Sequence, residues 1–173
     1  MKKQTVKVIV LGSLIAALIA AASLYYFSAA FPSTPEQDEI ADENNEAAEK
    51  RADFFNTAKS IEEEFPSNMD EYSVREAIHF MSHQKVKADE KRGALQITPE
   101  RIDRLMEVVF ANQDTYRNAD VYLSILNRWK AGDFRNADQD HNTVWQLLDG
   151  EVGKATGVLA PYEEEKYIER NFE

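Results

Sequence analysis

The chain contains three histidines, and two of them, His79 and His83, stand four residues apart. On a helix that spacing puts both rings on one face, as two ligands of one zinc ion require. A zinc protease built on such a pair also needs a glutamate directly after the first histidine. Here the run is His79-Phe80-Met81-Ser82-His83, which argues against that hydrolytic chemistry. A third ligand could come from His141, Asp140 or Asp138. His79, His83, Asp140 and His141 are thus the candidate metal residues, and zinc is the candidate cofactor. Without a metal, the same four side chains form a polar cluster that ties one helix to another, with Lys154 nearby.

Other constellations are weaker. Asp138-Gln139-Asp140-His141-Asn142 resembles the opening of a calcium loop, with Asp149 at its twelfth place. The sixth place, which needs glycine for the turn, holds Thr143, and the last ligand is Asp where a bidentate Glu is required. Gly150-Glu151-Val152-Gly153-Lys154-Ala155-Thr156-Gly157 has the residue types of a phosphate loop. Its glycines are too close together, and Ala155 stands where a hydroxyl must reach magnesium. No nucleotide is expected. Lys85, Lys87, Lys91 and Arg92 form a local basic patch suited to an anionic partner or wall polymer. No Gly-x-Ser-x-Gly elbow is present, and zero cysteines remove thiol chemistry, disulfides and lipid acylation. The expectation is a protein that is not an enzyme.

These residues must be carried by something, and the first segment says where. Val8 to Phe27 is a largely apolar run with no charged residue, preceded by Lys2, Lys3 and Lys7 and followed by Glu36, Asp38 and Glu39. Twenty helical residues reach about 30 Å, the thickness of a bilayer's hydrocarbon core. Lysines on one flank alone keep that flank in the cytoplasm. Tyr25, Tyr26 and Phe27 suit the outer headgroup boundary. The organisation expected is a cytoplasmic tail at 1–7, a transmembrane anchor at 8–30, an acidic and partly helical linker at 31–65, and an extracytoplasmic domain at 66–173. Ala20-Ala21-Ala22 and Ser28-Ala29-Ala30 offer cleavage sites, so the rival expectation is a secreted factor. All 31 acids lie after residue 35, with the 20 bases less the three N-terminal lysines, which leaves −14 there. Nucleic acid is excluded as a partner, because such binding needs a basic face.

The fold class expected is all-α: the membrane helix plus a small bundle of about five short helices. Ser73 with Glu76 signals a helix start near Tyr72, running to about Val86. Thr98-Pro99-Glu100 combines a capping hydroxyl, a proline suited to the first turn and an acid at the positive end of the dipole. Ile102, Leu105, Met106, Val109 and Phe110 then share one face. Tyr122, Ile125, Leu126 and Trp129 mark the next helix, which Gly132 ends. Asp133 is expected to cap a fourth, carrying His141, Val144, Trp145 and Leu148 to Gly150, and Pro161 opens the last. No strand pair is expected. The core residues expected are Ile78, Met81, Leu105, Val109, Ile125, Trp129, Trp145 and Leu148.

The stretches from Ala77 to Val86, Ile97 to Ile102, Trp129 to Phe134, Asp140 to Trp145 and Gly153 to Gly157 together resemble a family of uncharacterised, membrane-anchored proteins of Gram-positive spore-forming bacteria, a domain of unknown function. The resemblance covers about residues 70–173 and implies a cell-surface location and one compact domain, but no reaction. The function expected is a single-pass anchored module that binds another envelope or membrane protein, in contact with the bilayer through residues 8–30. The alternative is a metal-binding sensor or metalloenzyme using His79, His83 and His141.

Overall fold

The computed structural model describes residues 35–58 and 60–173. The chain divides into two compact units, 1–42 and 43–173, and the second holds every histidine. Seven helices and one short strand pair occur among the described residues. In chain order these are α1 (Pro35–Thr57), α2 (Ile61–Glu64), α3 (Glu71–Ser82), β1 (Val86–Lys87), α4 (Pro99–Ala111), α5 (Ala119–Lys130), α6 (Ala137–Leu147), β2 (Gly157–Val158) and α7 (Pro161–Phe172). The fold is therefore mostly helical, as expected. Among the described residues no helix is long and apolar enough to cross a membrane. The expected anchor at 8–30 lies outside those residues.

Local chemistry explains most boundaries. Thr98 is extended and its hydroxyl accepts the Arg101 N–H at 3.1 Å, so α4 starts where the Thr-Pro-Glu signal places it. The start of α3 differs from expectation. Asp70 caps it by accepting the Ser73 N–H at 2.9 Å, and the helix stops at Ser82. A carboxylate is as good a cap as a hydroxyl, and the spacing alone could not rank Asp70 against Ser73. Asp133 is not a cap either: it chelates Arg135, and α6 opens after Asn136. Gly132 has the left-handed backbone (φ 72°) that ends α5.

The apolar faces of α3, α4 and α5 meet in one core containing Ile78, Met81, Leu105, Val109, Ile125 and Trp129. Trp145 and Leu148 are only half-buried. Phe110, which the periodicity places on the same face, is 64% exposed. The core also takes Ala48, Ala52 and Phe55 from α1. The compact unit thus begins at Glu43 rather than at residue 66, and the acidic stretch contributes packing as well as charge.

One correction concerns strands. Val86 pairs with Val158 and Lys87 with Gly157 in an antiparallel ladder. Two residues per strand are too few to show alternation in a sequence. Its effect is positional, since it brings residues 155–158 against the exit of α3. There Val86, Ala137 and Ala155 make a second small apolar cluster.

Candidate metal centre

Two helices build the site. α3 and α6 pack against each other, with Arg75 of α3 donating to the carbonyl of Leu147 at the far end of α6. One helical turn on, His79 comes opposite His141 near the start of α6. This antiparallel arrangement brings together side chains 62 positions apart in the chain.

The three imidazoles meet. Ring centroids are 4.5 Å apart for His79 and His83, 4.7 Å for His79 and His141, and 5.4 Å for His83 and His141. One nitrogen from each can be chosen so that all lie within 4.8 Å of one another. His79 Nε2 and His141 Nε2 are 3.1 Å apart. Two nitrogens on one tetrahedral zinc, each at about 2.0–2.1 Å, stand at a similar separation of roughly 3.3 Å.

Neighbouring groups set which nitrogen is free. His83 Nδ1 lies 2.7 Å from the carbonyl oxygen of Gly93, so its proton sits on Nδ1 and Nε2 keeps its lone pair. His141 Nδ1 faces Asn142 Oδ1 at 3.2 Å. The Asn142 amide cannot turn round, because Oδ1 accepts the Ala155 N–H at 2.8 Å and Nδ2 donates to the Ala155 carbonyl at 2.9 Å. His141 Nδ1 is therefore a donor as well, and its Nε2 is free to bind. An oxygen acceptor behind each ligating ring is the usual support of a metal-bound histidine. Gly93 can present its carbonyl because it has no side chain. Its φ is +76°, and a Cβ there would stand 2.9 Å from the Phe80 ring.

Electrostatics keeps the rings neutral. Burial pushes His79 well below the usual imidazole value, and charge on His83 or His141 would push it further. His83 falls to about 3, through burial first and then His141, against the pull of its bond to Gly93. Burial takes His141 to about 4, partly opposed by Asn142. Neutral imidazoles are the metal-binding form. His83 and His141 are fully buried, while His79 is partly exposed and marks the side on which an ion could enter.

Asp140 is not part of this cluster. It accepts from Arg128 and, at 3.0 Å, from Trp129 Nε1, so it serves the contact between α6 and α5. Adjacent helical residues point about 100° apart, and His141 therefore faces α3 while Asp140 faces α5. Asp138 also lies outside the cluster. The calcium-loop reading fails because Asp138 to Leu147 is continuous helix. Lys154 is exposed and forms no ion pair among the described residues, so it neither joins the histidines nor pins a carboxylate there. The basic patch is largely neutralised: Lys85 pairs with Glu164, Lys87 with Glu163 and Arg92 with Glu90. Gly93 and Asn142 are supporting residues that the sequence did not single out. Only the position of Asn142 directly after His141 hinted at its part.

Residues 78–169, just over half of the chain, match the model of a family of unknown function, DUF6241. No curated protein and no solved structure matches.

Proposed function

Since the chain belongs to the DUF6241 family of unknown function, we propose its function from the site alone: it binds one transition-metal ion of the zinc class through His79, His83 and His141. The observation that carries this reading is the meeting of all three histidines at one point, two of them with Nδ1 committed to an oxygen acceptor. An all-imidazole donor set without thiolate or carboxylate suits zinc, copper, nickel or iron and does not suit magnesium or calcium. The metal would cross-link α3 to α6. The proposal ends at binding, because Phe80 fills the place of the glutamate that zinc hydrolysis uses and packs into the core. The apolar run at 8–27 with lysines before it supports a further part of the proposal: the domain is held outside the cytoplasmic membrane by residues 8–30.

A bland arrangement also accounts for one contact. With its proton on Nε2, His79 donates to His141 Nε2, and the pair needs no ion. That arrangement does not explain why His83 joins them. Metal analysis and zinc titration of the detergent-solubilised full chain separate the two. The expected result is one zinc per chain, removed by a chelator, absent from His79→Ala and not replaced by magnesium. His79 is the residue to change because it is the least buried of the three. A folded chain that takes up no zinc, nickel or copper would leave only the hydrogen-bonded pair.

A further inference from the structure

A second feature lies behind the loop that carries Gly93. There the 88–94 segment and the end of α7 border a polar cavity of about 350 Å³. Its wall carries two bases, Lys91 and Arg170, and two acids, Glu49 and Asp89, with Tyr167 and Asn171 between. Bases in this protein usually meet acids, as Lys85 meets Glu164, Arg101 meets Glu64 and Arg128 meets Asp140. Among the described residues Lys91 and Arg170 form no ion pair, and Glu163, which pairs with Lys87, attracts Lys91 only from farther away.

Lys91 is held in place all the same. Lys91 Nζ donates to the His83 carbonyl at 2.9 Å and sits 4.5 Å from the centre of the Tyr167 ring. An ammonium has three N–H groups, and the carbonyl uses one. Glu49 spends one carboxylate oxygen on the Gly93 N–H at 3.1 Å. The cavity therefore holds one fixed donor short of an acceptor, Lys91, with the exposed Arg170 guanidinium at its rim and two acids on the same wall.

We propose that this cavity binds a small ligand by its carboxylate, which Lys91 and Arg170 hold together, with the second N–H of the Asn171 amide as a further donor, the first going to the Tyr167 carbonyl at 2.7 Å. Charge selects the class. A phosphate dianion would face Glu49 and Asp89 with a second negative charge. A carboxylate monoanion does so less, and an amino acid would bring an ammonium to the acids. The site is distinct from the three imidazoles, and its occupancy does not depend on a metal.

The test is a nuclear magnetic resonance titration of the full chain in detergent with acetate, glycine and inorganic phosphate at constant ionic strength. Saturable shifts at Lys91, Gly93 and Asn171 are expected with acetate or glycine. Arg170→Gln and Lys91→Gln should each weaken binding about tenfold. Arg135→Gln, whose base already has Asp133, should not. Tighter glycine than acetate assigns an amino acid, and equal binding a simple carboxylate. Arg170 is exposed, so its variant keeps the fold, which unchanged Asn142 and Ala155 resonances would verify. Non-saturable shifts, saturable shifts that survive both substitutions, or phosphate bound more tightly than either carboxylate would overturn the proposal.

Discussion

At the scale of single residues, the site is defined as much by the atoms behind the imidazoles as by the imidazoles. Asn142 shows this best. Its amide reads the Ala155 backbone with both ends and so has one orientation, which gives His141 one tautomer. Asn142→Leu should lower zinc affinity about 10–100-fold, the usual effect of losing such a support. Calorimetric titration of the variant against the parent chain checks this. The same three rings also make an acid-sensitive device. In the unfolded chain an imidazole takes its proton near pH 6.5, whereas in the folded chain His83 does so only near 3 and His141 near 4. Between those values the unfolded state binds more protons, so stability falls as pH falls through this window. The contribution is fully present above about 6.5. Burial raises the carboxyls of Glu64 and Glu76, despite their partners Arg101 and Arg51, and these act in the opposite sense. The histidine part is therefore a difference. Urea midpoints of the metal-free chain should drop from pH 6.5 to 4.5, and those of His83→Phe should drop less.

At the scale of elements, one unexpected contact organises the bundle. α5 has no side-chain cap of its own. The two N–H groups that lead into it are taken by Glu71 of α3, which accepts the N–H of Arg117 at 3.1 Å and of Asn118 at 3.0 Å, and the Tyr122 hydroxyl at 2.9 Å. Burial alone would raise the Glu71 carboxyl, but these donors outweigh it and hold it below its usual value. A carboxylate there fixes the turn into the helix and faces the positive end of its dipole. Glu71→Ala should cost about 2–3 kcal/mol, the order of one or two charged hydrogen bonds, in urea unfolding. Sequence patterns could not show this contact, because donor and acceptor are 46 residues apart. They did show the start of α4, whose Thr98 cap is three residues from its donor. The two-residue β ladder lay beyond them for the converse reason: it is too short to have a period.

At the scale of the whole molecule, the acidic helix α1 is bound to the domain by shape as well as by charge. Phe55 is buried against Phe65 and Phe80, with ring centroids at 5.6 Å and 6.4 Å. Arg51 reaches the buried Glu76, and Asn56 donates to the Ala94 carbonyl at 2.9 Å. Phe55→Ala removes a core ring, and its cost of about 3–5 kcal/mol should fall on the contact of α1 with the rest of the domain. Hydrogen exchange resolves the extent. Faster exchange confined to α1, with zinc stoichiometry unchanged, is the expected outcome, since the histidines stand on α3 and α6.

What the sequence by itself determined is what depends on near neighbours. Helix periodicity, the Thr98 cap, the helix opening at Pro161, the charge surplus and the common face of His79 and His83 all arise within a few residues. The tertiary structure decided what depends on encounter. It chose His141 over Asp140 as the third member of the cluster, because only the packing of α3 on α6 says which side of α6 is met. It also supplied Gly93 and Asn142 as the acceptors behind the rings, and gathered Lys91 and Arg170 around one cavity. Side chains that are far apart in the chain become partners only when helix packing fixes their directions in space.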